Sequence, residues 1–164
     1  MQMDATQPFP FRDGVFDYVY TEHMIEHVPY QKGLFMLREC HRVMRKGGVI
    51  RVITPDLAAF LGLFSSDLCA DQQKYLQWFC ETFVPQEWPS NAASAINAML
   101  RMWGHQFIYD ERTLTDIMRA AGFDSVMRWP IGHSDSPDLQ NLGYEERYPA
   151  GLLNFESVTL EGRK

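Results

Sequence analysis

Apolar and polar positions follow two different periods along the chain, and the changes of period mark its elements. Phe16 to Thr21, FDYVYT, is aromatic and β-branched and follows the turn pair Asp13-Gly14, which predicts a short buried strand. After Pro29, the positions Leu34, Leu37, His41 and Met44 recur at helical spacing. Gly47-Gly48 stops that run behind the basic pair Arg45-Lys46, which predicts a helix closed by a left-handed cap. Val49 to Thr54, VIRVIT, reads as a second strand, and Pro55-Asp56 ends it in a way suited to opening a helix near Leu57. Strand, helix, glycine pair and strand make a βαβ unit, so a parallel sheet is expected.

The stretch of about 57–103 is rich in Ala, Leu, Phe, Trp and Met and is broken at Pro85 and Pro89, which predicts two or three helices forming an insertion or cap. Its aromatic residues Trp78, Phe79, Phe83, Trp88 and Trp103 suit either core packing or the wall of a substrate pocket. Further on, Asp110 is placed to cap a helix whose Leu114, Ile117, Met118 and Ala121 share a face and which Gly122 closes. Ser125 to Trp129 and Ser157 to Glu161 read as the last two strands. No repeat and no linker divides residues 1–164, so a single α/β domain is expected.

Composition narrows the function. With 46% hydrophobic and 22% charged residues the chain has the mixture of a globular protein. A net charge of -6 and a pI near 5.3 argue against capture of nucleic acid or an anionic membrane surface, leaving a small molecule or a protein as partner. Cys40, Cys69 and Cys80 contain no CxxC pair, and Cys40 sits in a helical apolar pattern as a buried thiol would. The opening MQMDATQPFPFRDG has neither the basic start nor the apolar run of a signal peptide. The longest uncharged apolar stretch, Leu57 to Ser66, is about half of the ~20 residues a membrane helix needs. A cytoplasmic protein is the expectation.

The densest chemistry lies in Thr21 to Val28, TEHMIEHV. Read as a helix it sets His23 and His27 four apart on one face with Glu26 beside them, and as a string it is the HxxEH of inverted zinc peptidases. Its position at the exit of a strand and the lack of a third ligand speak against that site. Histidine as a residue type has an unperturbed pKa near neutrality, which makes His27 a candidate general base, and Glu26 with His27 suits equally the holding of the following helix by hydrogen bonds. His105, Tyr109 and the polar run His133, Ser134, Asp135 and Ser136 are candidates for recognising a polar acceptor, or ordinary loop residues. Glu39 and Arg42 suit a surface or interhelix pair, and Arg51 a partner in Asp56 or Glu39.

These pieces, taken in order, carry a resemblance. Asp4, the turn Pro8 to Phe11, Phe16-Asp17, Glu26-His27, Arg42-Val43-Met44 and Arg45-Lys46-Gly47-Gly48 resemble the second half of the class I S-adenosylmethionine-dependent methyltransferases, and His105 to Phe123 resembles the family's helix before its sixth strand. The resemblance implies a partial Rossmann-like methyltransferase fold, the C-terminal part of a seven-stranded sheet, with Met1 to Met3 at the end of the third strand. It implies methyl transfer from S-adenosylmethionine to a small-molecule acceptor. Asp4 and Ala5 would meet the adenine, Thr21 and Glu22 the methionine part, and Glu26 and His27 would be catalytic. In methyltransferases acting on ubiquinone precursors the matching segment is proposed to hold a divalent ion, so His23, Glu26 and His27 are metal candidates, although His23 replaces a carboxylate.

The family's glycine-rich loop and its ribose-binding acidic residue do not occur here, which corresponds to roughly 60 residues at ~30 per βα unit. A sheet without its first strands has an open edge, to be covered by a homo-oligomer partner or by a further N-terminal portion. Three readings follow: a piece of a longer enzyme, a short protein whose edge pairs in a homodimer, or a non-catalytic domain that works through dimerisation or partner binding.

Overall fold

The computed structural model of the chain describes residues 3–143, 148–149 and 151–164. Ten regular elements follow one another in it: β1 Phe16–Glu22, α1 Tyr30–Val43, β2 Met44–Pro55, α2 Leu57–Gly62, α3 Ala70–Phe83, α4 Ala92–Arg101, α5 Glu111–Ala120, β3 Asp124–Arg128, α6 Leu152–Glu156 and β4 Ser157–Arg163. The four strands form one sheet in the order β1-β2-β4-β3. Of the expected strand end at Met1 to Met3, Met1 and Gln2 lie outside the described residues, and Met3 is in irregular backbone.

The βαβ unit forms as its pattern requires, with β1 parallel to β2 from Tyr18↔Val49 to Glu22↔Ile53. The expectation of a parallel sheet holds only there. β4 pairs antiparallel with both β2 and β3. Its direction is imposed by α6, which delivers Ser157 beside Pro55 at the carboxyl end of β2, so the chain can only run back along the sheet.

The glycine pair also acts differently from its reading. α1 stops at Val43, Met44 is already extended at φ -81 and ψ 148, and Arg45-Lys46-Gly47-Gly48 belongs to β2. Gly47 does take the left-handed conformation, φ 80, but within an irregularity of the β1–β2 pairing between Phe16 and Tyr18. A Cβ at Gly48 would come within 2.9 Å of the Asp17 carbonyl oxygen, so close strand approach explains the second glycine.

α1 buries Met36, Leu37, Cys40 and Val43, and His41 stands at the margin, edge-on to Phe123. Burial pushes the Cys40 thiol up to about 12, the behaviour of a packed and unreactive cysteine. Asp110 caps α5 by accepting from the Thr113 N–H at 2.8 Å, and Leu114, Ile117 and Met118 are buried on the face the spacing predicts. α1 and α5 cover the face of the sheet that presents Ile50, Val52, Val158 and Leu160.

The opposite face is held by charge. Arg51 is fully buried and meets Glu161 across the β2–β4 pair at 2.7 Å, not Asp56 or Glu39. The His133 carbonyl accepts from Arg51 at 2.7 Å and the Ser134 hydroxyl donates to Glu161 at 3.1 Å, so the polar run 133–136 seals this ion pair. Glu39 and Arg42 do pair, through contacts of 2.8 Å and 2.7 Å. Arg42 reaches on to the Phe11 and Phe9 carbonyls and fastens the segment before β1 to α1.

The insertion contains three helices, α2 to α4, with a core of their own built on Phe60, Leu63, Tyr75, Phe79, Ala98 and Met99. Asp56 opens α2 by accepting from the Ala58 N–H at 3.0 Å, as Pro55-Asp56 predicted. Among the described residues no strand pairs with the outer edge of β1, where Tyr18 and Tyr20 are 38% exposed.

Candidate active site

The parallel strands β1 and β2 end at Glu22 and Pro55, and a cavity of about 180 Å³ lies just beyond them. In open α/β sheets this end gathers ligands, because the loops leaving parallel strands diverge there. His23 and Pro55 form its floor. The insertion supplies the apolar wall: Phe60 from α2, Phe79 and Phe83 from α3, and Met99 from α4. Trp103, His105, Tyr148 and Glu156 complete the lining. Of the aromatic residues of the middle region, Phe79, Phe83 and Trp103 line the cavity, while Trp78 and Trp88 pack against the helical core.

Glu156 is buried, accepting from Tyr148 at 2.9 Å and from the Tyr75 hydroxyl. Burial, reinforced by the carboxylate, pushes the Tyr75 hydroxyl far above its ordinary range, so it stays a donor. The cavity is thus apolar on most of its wall and carries an acidic group and two imidazoles.

TEHMIEHV is not helical at its start. Thr21 and Glu22 finish β1, His23 adopts φ 44, and only Ile25–His27 forms a single tight turn. A left-handed non-glycine residue at a strand exit stores strain, and here it swings the His23 ring over Glu26. Glu26 has no exposed surface. Its Oε2 accepts from the Thr54 hydroxyl at 2.8 Å, and its Oε1 faces His23 Nδ1 at 3.4 Å and His27 Nε2 at 3.8 Å. The Glu26 backbone carbonyl accepts from the N–H groups of Gln106 and Phe107. The motif therefore ties the ends of β1 and β2 to the loop before α5, and not to the helix that follows it.

Burial by itself would raise the Glu26 carboxyl, but hydrogen bonds from His23 and Thr54 outweigh it and hold the group below its usual range. His23 is raised in turn, burial being outweighed by Glu26. His105 is lowered, chiefly by burial, and its Nδ1 faces the Met99 carbonyl. The carbonyl can only accept, so Nδ1 carries the proton and Nε2 keeps its lone pair. His105 packs edge-on to His27 at 4.8 Å between ring centres. His23 and His105 line the cavity, while Glu26 and His27 stand behind them. His105 as a neutral imidazole beside Glu26 was invisible locally, since 79 positions of sequence separate His27 from the Gln106 side chain that bonds its carbonyl.

Other expected residues lie elsewhere. Tyr109 is in the core with 0% exposure, and its hydroxyl has no partner. The 133–136 run lies over Arg51 and Glu161, outside the cavity. Asp4 is exposed and its carboxylate accepts from the N–H and hydroxyl of Thr6, both at 2.8 Å, with those bonds holding its pKa down. Ala5 packs against the α/β core. Glu22 stands at the carboxyl end of β1; Oε2 accepts from the Tyr20 hydroxyl, and Oε1 is buried without a partner.

The α/β sheet thus carries a partly acidic cavity of about 180 Å³ beyond its parallel strand ends, the end at which open α/β sheets gather ligands. Known proteins resemble it in part. A methyltransferase-domain model matches residues 1–52, and no curated protein matches the sequence. The fold is similar to that of a structure described as an S-adenosylmethionine-dependent methyltransferase from Archaeoglobus fulgidus, at a TM-score of 0.54 and 13% identity, covering 100% of this chain and 66% of that one. One from Thermotoga maritima, described as a possible histamine N-methyltransferase, gives 0.52 and 21%, with 100% and 63% covered. An O-methyltransferase family protein from Burkholderia thailandensis gives 0.52 and 13%, with 100% and 35% covered. The chain spans less than two thirds of the length of these structures. It is similar to the class I S-adenosylmethionine-dependent methyltransferases by sequence in its first third and by fold throughout, without their glycine-rich loop. Among the described residues no helix is long and apolar enough to cross a membrane.

Proposed function

We propose that this chain forms the acceptor-binding side of an S-adenosylmethionine-dependent methyltransferase acting on a small, largely apolar molecule with a nucleophilic oxygen or nitrogen. The observation that carries the reading is the aromatic cavity at the carboxyl ends of β1 and β2, with a neutral imidazole, His105, in its wall.

The residues present fit one end of the cofactor. Glu22 has a buried carboxylate oxygen in need of a donor, which an ammonium such as that of the methionine part would supply, and Thr21 stands next to it. Asp4 would have to release Thr6 to meet an adenine amine. When bound, the cofactor supplies an electrophilic methyl group on a sulfonium; everything else is positioning and proton removal. Phe79, Phe83 and Trp103 exclude water and hold the acceptor's apolar body, and His105 Nε2 takes the proton from its hydroxyl or ammonium. Glu26 and His27 stand behind His105: the buried carboxylate raises the pKa of the neighbouring His23, and the Met99 carbonyl fixes the His105 tautomer.

A second reading keeps the fold without catalysis and uses the uncovered edge of β1, where Tyr18 and Tyr20 are exposed, to pair with a second copy of the chain. The two part in one experiment. The purified chain is incubated with methyl-labelled S-adenosylmethionine and a panel of small phenols and aromatic amines, and the organic extract is counted. Labelled product that disappears in Phe83→Asp, which places a charge in the cavity wall, supports methyl transfer. No product from a folded dimer favours the second reading.

A further inference from the structure

We propose that the cavity beyond β1 and β2 selects a small amine carrying one ring, bound as its ammonium ion, with Glu156 as the counter-charge. The inference rests on the reading of this cavity as the acceptor site, and it narrows the acceptor from oxygen or nitrogen to nitrogen.

Size sets the first limit. An apolar cavity of about 150 Å³ takes up benzene, so the cavity of about 180 Å³ admits one ring with a short arm. Charge sets the second. Glu156 lines the cavity, is buried, and accepts from Tyr148 at 2.9 Å and from the Tyr75 hydroxyl. Those bonds fix the carboxylate in place and use two of its roughly four acceptor positions, and neither tyrosine brings a positive charge. Glu156 also acts, together with Glu26 and Glu22, on the His23 ring in the floor, so three carboxylates set the field at this end of the sheet. Among the described residues no lysine or arginine lines the cavity, and only the imidazoles can offset that field. An anionic acceptor is repelled there, whereas a buried ammonium needs such a counter-charge.

The aromatic wall suits the same ion. Phe79, Phe83 and Trp103 pack on one another with ring centres 5.2, 5.5 and 6.3 Å apart, and Trp103 stands at 82° to Phe79 and 90° to Phe83. Rings at right angles form the corner of an aromatic cage, whose electron-rich faces attract an ammonium and the CH groups beside it. A sphere of 180 Å³ is about 7 Å across, so a cation inside stands close to the ~6 Å reach of these rings. His105 Nε2, with Nδ1 turned to the Met99 carbonyl, presents a further acceptor. A neutral hydroxyl offers these acceptors one donor where an ammonium offers up to three, and it gains little from the field.

The test needs no cofactor. The folded chain is titrated calorimetrically with phenethylamine, phenethyl alcohol and phenylacetate, one-ring compounds of similar size that end in an ammonium, a hydroxyl and a carboxylate. The expected result is saturable one-to-one binding of the amine, binding of the alcohol at least tenfold weaker, and none of the carboxylate. Glu156→Gln should lower amine affinity at least tenfold and leave the alcohol within about twofold. Phe83→Leu keeps an apolar wall but removes a ring face, and should weaken the amine at least threefold and more than the alcohol. Circular dichroism checks that each variant is folded, and Phe83→Leu with the three wild-type titrations decides if Glu156→Gln is not. No saturable amine binding, alcohol or carboxylate bound as tightly as the amine, or equal losses for amine and alcohol in a folded variant would each overturn the assignment. Amine-selective binding without labelled product in the methyl-transfer assay would defeat the transferase reading alone; labelled phenols without any preference for amines would defeat this inference alone.

Discussion

Glu161→Gln removes one charge from the interior while keeping shape, and it isolates what holds the second face of the sheet. Arg51 has no exposed surface, Glu161 little, and the Arg51 Nε has no hydrogen-bond partner among the described residues. With glutamine in place of the carboxylate, the guanidinium keeps neutral acceptors, the new amide oxygen and the carbonyls of His133 at 2.7 Å and Pro130 at 3.3 Å, and loses its counter-charge. Stranding a buried charge in this way costs about 3–5 kcal/mol. At about 2–4 °C per kcal/mol for a chain of this size, Tm should fall by roughly 6–20 °C. The paired change Arg51→Met with Glu161→Leu removes both charges and fills the space, and should return stability to within about 1 kcal/mol of the wild type. Urea unfolding of the three proteins, read by circular dichroism with unchanged m, gives both differences. A Glu161→Gln protein within about 0.5 kcal/mol of the wild type, or a double variant no better than the single one, would refute the reasoning.

Two further outcomes follow from buried polar groups. Tyr109→Phe deletes a hydroxyl that has no partner and should stabilise the chain by about 1 kcal/mol in thermal unfolding. The same hydroxyl is 2.8 Å from where a Cβ at Gly33 would sit, so Gly33→Ala should be destabilising in the wild type and milder with Tyr109→Phe. The Glu26–His23 pair sets a pH window. Glu26, lowered from its ordinary 4.5, contributes stability that is lost as pH falls through its folded value; His23, raised from 6.5, contributes stability that is lost as pH rises through its own. Their joint contribution is therefore fullest between about 4.5 and 6.5. His23→Gln should cost more stability near pH 5.5 than near pH 9, and an equal cost at both would contradict the pairing.

What could be read from the sequence was local. Asp110 and Asp56 announce their helices because a cap needs only its own side chain and the next turn. The apolar period of α5 identifies its buried face because one helix packs on one sheet. Gly47-Gly48 was misread because a left-handed glycine serves a helix end and a strand irregularity equally, and the choice depends on how closely Asp17 approaches. The direction of β4 follows from where α6 leaves the chain. Arg51 and Glu161 stand 110 positions apart, beyond any periodic signal. At the site, the resemblance placed Glu22, His23, Glu26 and His27 at the exit of β1. The aromatic wall and His105 reach that exit only through the packing of the insertion and the loop before α5, so the cavity itself had no sequence signature.

The reading stands or falls on whether the carboxyl end of β1 holds the cofactor. Calorimetric titration of the purified chain with S-adenosylhomocysteine tests this without an acceptor. The account predicts saturable one-to-one binding that weakens in Glu22→Gln, because that substitution takes the charge from the unpartnered oxygen at the end of β1. Absence of binding heat from a folded sample, or binding indifferent to Glu22→Gln, would contradict it.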